Sequence, residues 1–312
     1  MIVDVHMHLG NFLYRHGAEI IGCDIPFPTK FSIQTFEERV LRFNSNTITK
    51  MVFDKLDDYY TKSVQSRIRA ATLRNLQSYY KTLETWSTRL FGDSHVESYC
   101  MPISPYVTFR DIRQWTILEK RLRTFTSINP SLSLNAMCEE IASDAKDKYC
   151  FGLKIHPIIQ GIPFDSKFCF NALDIFRLSG KPVLFHAGAS RYYIGNERNL
   201  QHCELDNKEA AVKMVAHYPD VPFIIGHAGI AEFEEWAQSL RRFDNVFFEV
   251  TVQSCKNIQK LVRYYGEDRM LFATDWPCID PKVTCNILMK ALTYRQLEKA
   301  MFRNAFTILG ER

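Results

Sequence analysis

The nine cysteines of this 312-residue chain form no Cys-x-x-Cys pair. Their number is odd and they are scattered from Cys23 to Cys285, so no disulfide framework is legible and a reducing, cytoplasmic setting is expected. Taken singly they read as small buried apolar residues. No apolar run approaches the roughly 20 residues needed to span a bilayer. Asp4, His6 and His8 interrupt what would be the apolar core of a signal peptide. A net charge of +4 is too small to argue for nucleic acid. There is no Gly-x-Gly-x-x-Gly turn, which argues against a doubly wound dinucleotide fold. No repeat, low-complexity tract or dividing linker is present, so residues 1–312 are expected to form one domain. The span from Phe31 to Phe91 contains neither glycine nor proline.

What is present is a chain of globular composition, 46% hydrophobic and 24% charged. Its second half alternates short apolar runs with amphipathic stretches. The runs are Phe151–Pro157, Pro182–His186, Pro222–His227, Val246–Thr251 and Met270–Asp275. They are rich in β-branched and aromatic residues and read as buried parallel strands. Helical patterns lie between them over Asp206–His217, Ala231–Arg242 and Asn257–Tyr265, with Asp206 and Asn257 as candidate N-caps. With strands at 2–6, near Glu97–Pro102 and near Arg123–Ile128, the count reaches eight. Eight βα units in about 300 residues predict an α/β (β/α)8 TIM barrel. In the glycine-free span Val52, Leu56, Tyr60, Val64 and Ile68 recur every four residues, and Leu76, Tyr80 and Leu83 continue the stripe. This predicts a helical insertion after the first strand, about 31–91, that either caps the barrel or serves as a lid or a homodimer surface.

His6 and His8 stand two residues apart on the first strand and so share a face. Alone, such a pair fits solvated or core-satisfied imidazoles as well as metal ligands. The chain adds His186, His227 and Asp275, each where a strand run stops, and strand ends converge on one mouth of a parallel barrel. Packing alone explains poorly why five groups of metal-ligand type end strands together, because unpaired buried imidazoles and carboxylates are costly. Three histidines and a carboxylate with room for water describe a catalytic metal site. The small residues after His186 and His227 would leave space for a ligand. Lys154 and His156 end the fourth strand and read either as structural or as substrate-binding. Arg191, with Tyr192 and Tyr193, is either a binder of anionic substrate or part of a solvated loop.

Five segments resemble the amidohydrolase superfamily, and within it the amidohydrolase-2 (amidohydrolase-related) group. They are Val3-Asp4-Val5-His6-Met7-His8, Gly152-Leu153-Lys154-Ile155-His156-Pro157, Phe185-His186-Ala187-Gly188, Gly226-His227-Ala228-Gly229 and Thr274-Asp275-Trp276-Pro277. Phe302–Gly310 looks like that group's closing helix, and the resemblance fades between about 10 and 95. It implies one divalent metal, most often Zn2+, held by His6, His8, His186 and Asp275, with His227 off the metal polarising the substrate. Asp275 would accept the proton of metal-activated water and pass it to the leaving group. In binuclear relatives a lysine at the place of Lys154 is a carbamylated bridge. The Lys-x-His-Pro form looks more like the mononuclear group. The resemblance therefore implies a hydrolase cutting a C–N or C–O bond of a small molecule. A non-oxidative decarboxylase on the same ligands is the second reading, and a binding module that is no enzyme is the third.

Overall fold

The computed structural model describes residues 1–9, 73–188, 193–194, 197–198 and 206–310. Eight strands, β1 (Ile2–Met7), β2 (Val96–Cys100), β3 (Leu122–Ser127), β4 (Cys150–Ile155), β5 (Val183–Phe185), β6 (Phe223–Ile225), β7 (Val246–Glu249) and β8 (Met270–Leu271), pair in parallel in chain order. Between them run α1 (Leu73–Phe91), α2 (Phe109–Leu118), α3 (Leu134–Lys146), α4 (Lys167–Phe176), α5 (Lys208–His217), α6 (Phe233–Leu240) and α7 (Cys255–Tyr265), and α8 (Pro281–Ala291) follows β8. The sheet closes on itself. Val5 N–H donates to the Phe272 carbonyl (3.0 Å), Asp275 N–H to that of His6 (2.7 Å) and His8 N–H to that of Trp276 (2.6 Å). This is the expected (β/α)8 barrel. The last strand is shorter than the 270–275 run because the Phe272 amide turns away to the Ala300 carbonyl (2.8 Å).

Both faces of the strands are buried, which is why they read as nearly unbroken apolar runs. Val3, Val5, Tyr99, Phe125, Phe151, Leu184, Ile224, Leu271 and Ala273 fill the interior, with Ala305 of the closing helix Asn304–Leu309 packed against them. Ile2, Val96, Leu122, Leu153, Val183, Phe223, Val246 and Met270 face the helices.

Two strands carry an extra residue. Asp4 and Met7 of β1 face Ser98 and Cys100 of β2, three steps against two. Cys150 and Leu153 of β4 likewise face Thr124 and Thr126 of β3. Such a bulge shifts the alternation by one, so side chains beyond it change faces. Before the bulge Asp4 points outward, where Tyr79 of α1 donates to its Oδ2 (2.7 Å); after it His6 and His8 point inward. On β4 the bulge holds Gly152, where a Cβ would lie 2.3 Å from the Phe125 ring. Only glycine lets that ring fill the interior while Lys154 and His156 turn inward beyond it.

Two capping expectations are corrected. Asn207, not Asp206, caps α5 by accepting from Ala210 N–H (2.9 Å), and Ser254, not Asn257, caps α7 by accepting from Asn257 N–H (3.2 Å). A cap bonds the amide three residues ahead, so Asn257 is the donor of its cap. The expected 31–91 insertion is also revised where it can be seen. Residues 73–91 are α1, in the place of the first barrel helix; Leu76, Tyr80 and Leu83 are buried, so this part of the stripe faces the barrel and forms no dimer surface. Val52 to Ile68 lie outside the described residues.

Asp4 is fully buried and every partner is a donor: His6 N–H and Thr274 N–H on Oδ1 (each 3.1 Å), Tyr79 O–H (2.7 Å) and Thr274 O–H (2.5 Å) on Oδ2. Burial pushes its carboxyl up to about 7 while these donors pull it down. Asp4→Ala orphans buried donors across the closing seam and is expected to lower unfolding free energy by about 1–3 kcal/mol in urea titration. Gly152→Ala is expected to cost about 1–3 kcal/mol in the same assay, through overpacking against Phe125.

Candidate metal centre

The inward-facing strand ends bring His6, His8, Lys154, His186, His227, Glu249 and Asp275 to one mouth of the barrel, all buried. His6 Nε2 lies 3.1 Å from His8 Nε2, 3.1 Å from Lys154 Nζ and 3.7 Å from Asp275 Oδ1. His8 Nε2 is 3.2 Å from the same Asp275 oxygen. His6, His227 and Asp275 offer donor atoms all within 4.8 Å of one another. The His186 ring joins this group through His227, with centroids 5.0 Å apart. His227 and Asp275 follow β6 and β8 in left-handed backbone, with φ of 55° and 52°. Such conformations are costly for non-glycine residues and persist only where neighbours hold them.

The second nitrogen of each imidazole shows which lone pairs face the mouth. His8 Nδ1 lies 2.7 Å from the Met101 carbonyl oxygen, which only accepts, so Nδ1 carries the proton and Nε2 offers a lone pair. His6 Nδ1 lies 3.0 Å from Glu249 Oε1, with the same consequence for its Nε2. His186 Nε2 lies 3.2 Å from the Gly188 carbonyl, so that ring offers Nδ1. Burial holds His6 and His186 well below the ordinary histidine range and also lowers His8, so the rings stay neutral. Two lone-pair nitrogens 3.1 Å apart beside a carboxylate repel one another, and the Lys154 amine, which reaches only His6 Nε2, relieves that repulsion in part. The donor set, imidazole nitrogens plus carboxylate oxygen, therefore fits a divalent transition metal.

Charge around this set is uneven. Burial pushes Asp275 upward, but His227, His8 and His6 outweigh it and hold the carboxyl below its usual range. Burial lowers Lys154 to about 7, opposed by Asp275 and Glu249. Lys154 is thus neither solvated nor remote; in this arrangement its amine reaches His6. His156 stacks on His186 at 4.1 Å between centroids and 9° between planes, and its Nδ1 accepts from Ile159 N–H (3.3 Å). It buttresses the His186 ring.

Of the sequence-predicted residues, His6, His8, Lys154, His156, His186, His227 and Asp275 converge at the mouth, and Arg191 lies outside the described residues. The reading overlooked Glu249 and Thr251. The signal for Glu249 was a lone carboxylate inside the otherwise apolar run Val246–Thr251. The small residues after His186 and His227 have a different reason from ligand space. A Cβ on Gly188 would lie 2.6 Å from the Gly229 backbone, and one on Gly229 would lie 2.4 Å from Trp236. They let the two loops touch.

Solved structures that align over nearly the whole of this chain share its fold. A 5-carboxyvanillate decarboxylase from Sphingomonas paucimobilis is 14% identical with a TM-score of 0.63, covering 99% of this chain and 98% of that one. A probable 2-pyrone-4,6-dicarboxylic acid hydrolase from Acinetobacter baumannii, with citric acid bound, is 9% identical with a TM-score of 0.56, covering 99% of both. A 5-carboxyvanillate decarboxylase from Novosphingobium aromaticivorans, complexed with manganese and a nitrobenzoic acid, is 13% identical with a TM-score of 0.58, covering 100% of this chain and 96% of that one. These likenesses show the fold. No curated protein matches the sequence. The sequence pattern of the amidohydrolase family matches residues 109–310, from α2 through β8 to the closing helix, and on that match the chain belongs to the amidohydrolase family.

Proposed function

We propose that this chain is a metal-dependent hydrolase cleaving a C–N or C–O bond, such as an amide or lactone, in a small molecule. The observation that carries the reading is the convergence of the His6 and His8 Nε2 lone pairs on the Asp275 carboxylate. His6, His8, His186 and Asp275 would hold one divalent ion, with zinc the expected metal for this donor set. When bound, zinc supplies a water whose pKa falls to about 7. Asp275, kept ionised by the surrounding imidazoles, accepts a proton from the attacking water and returns it to the leaving group. His227 engages Thr251 through Nδ1 (3.2 Å), so its Nε2, once protonated, donates to the substrate carbonyl oxygen as negative charge grows there. Lys154, and Arg191 a few residues beyond β5 in the sequence, would serve anionic groups of the substrate.

Decarboxylation is the second reading. It is favoured by the buried Lys154 amine, suited to a carboxylate, and by the decarboxylases among the similar structures. There the metal-side groups would bind the substrate carboxylate and no water attack would occur.

Elemental analysis of the purified chain is expected to find about one divalent metal per chain, with His6→Ala losing it; full activity after exhaustive chelation overturns the metal reading. Asp275→Asn is expected to reduce kcat/KM by about 10²–10⁴-fold. Turnover in 18O-labelled water separates the two reactions. Hydrolysis places one 18O in the product acyl group, whereas carbon dioxide release with solvent hydrogen delivered to carbon replaces hydrolysis with decarboxylation.

A further inference from the structure

Glu249 ends β7 fully buried, and the contacts of its two oxygens reach two different imidazoles. Oε1 accepts from His6 Nδ1–H at 3.0 Å and from the His227 backbone N–H. Oε2 accepts from Thr251 N–H at 2.7 Å and from the Thr251 hydroxyl. Because that hydroxyl spends its only proton on Glu249, its oxygen is left to accept from His227 Nδ1–H, 3.2 Å away. His227 Nδ1 is itself 3.3 Å from Glu249 Oε1. One carboxylate thus fixes the proton of His6 directly and that of His227 through Thr251.

The same strand end also grips the backbone of His227. Its N–H goes to Glu249 and its carbonyl accepts from Gln253 Nε2 (2.7 Å), which also reaches the Ile230 carbonyl (2.9 Å). Gln253 is in turn oriented by Asn257 Nδ2 (3.1 Å). Between these grips the chain runs through positive φ at His227, Ala228, Gly229 and Ile230.

We infer that Glu249 is a positioning residue that holds His6 and His227 together as Nδ1–H tautomers, so that both Nε2 atoms face the mouth as lone pairs. The inference rests on the metal-centre reading for its consequence but not for its geometry. No other residue type does this. Glutamine offers one acceptor oxygen where Glu249 meets donors on both oxygens, so one side of the amide must face a donor. Aspartate keeps two oxygens but is one methylene short of His6.

The test uses the full chain with 15N-labelled histidine, first metal-free. Ring 15N shifts of wild type are expected to report Nδ1–H for both His6 and His227; an Nε2–H tautomer at either one overturns the inference without need of a variant. In Glu249→Gln the His6 ring is expected to become a tautomer mixture. Metal affinity, measured by competition with a chromophoric chelator using Zn2+ as probe, is expected to fall about 10–100-fold. Unchanged tautomers and unchanged affinity in a folded Glu249→Gln chain also overturn it. A wild type that shows both expected tautomers yet takes up no metal sinks the metal-centre reading and leaves the tautomer assignment standing.

Discussion

The seam between β1 and β8 is the constraint on which the rest depends. A sheet of eight parallel strands has two raw edges until the first and last strands meet. Here they meet through backbone bonds of Val5, His8 and Asp275 and through Asp4, whose two oxygens take donors from β1, α1 and Thr274 just beyond β8. The seam and the site are the same stretch of chain. The amide of Asp275 is bonded to the carbonyl of His6, so the act of closing the barrel sets the carboxylate beside the two imidazoles. A site built from strands at opposite ends of the sequence is thus as rigid as the barrel that unites them.

The bulge in β1 makes this arrangement usable. Without it Asp4, His6 and His8 would share one face and the imidazoles would point at the helices. The extra residue lets Asp4 stay outside, holding the seam, while His6 and His8 turn inside. The β4 bulge repeats the device for Lys154 and His156, and there the sequence marks it with Gly152. Burying so many ionisable groups is costly, and the arrangement offsets the cost by keeping the imidazoles neutral and giving Asp4 and Glu249 several donors each. Two carboxylates, Asp275 and Glu249, flank a set of neutral nitrogens with one amine whose proton is loosely held. A divalent cation would balance the pair.

The barrel was legible in the sequence because doubly buried strands leave unbroken apolar runs and because the side chains that end them are chemically conspicuous. His6, His8, His186, His227 and Asp275 stood out for that reason and do converge. Glu249 did not stand out, because in the sequence it lies inside the run Val246–Thr251 and not at its end. Its importance lies in whom it touches, 243 residues away in the chain at His6, and no local pattern carries that information. The bulge in β1 was equally hidden, since an inserted residue leaves the composition of a strand unchanged. Asp206 and Asn257 were misread as caps because two acceptable cap residues lay within a few positions, and helix geometry alone decides between them. In the first half, α1 looked like part of an insertion because its stripe continues the pattern of the preceding segment without a break.

Gly188 and Gly229 show how packing and chemistry constrain the same atoms. The loops after β5 and β6 meet backbone to backbone, and Trp236 of α6 closes against the second glycine. That contact brings His186 and His227 to 5.0 Å between ring centroids, with His186 braced on its other face by His156. A side chain at either glycine would push the loops apart before it reached any ligand.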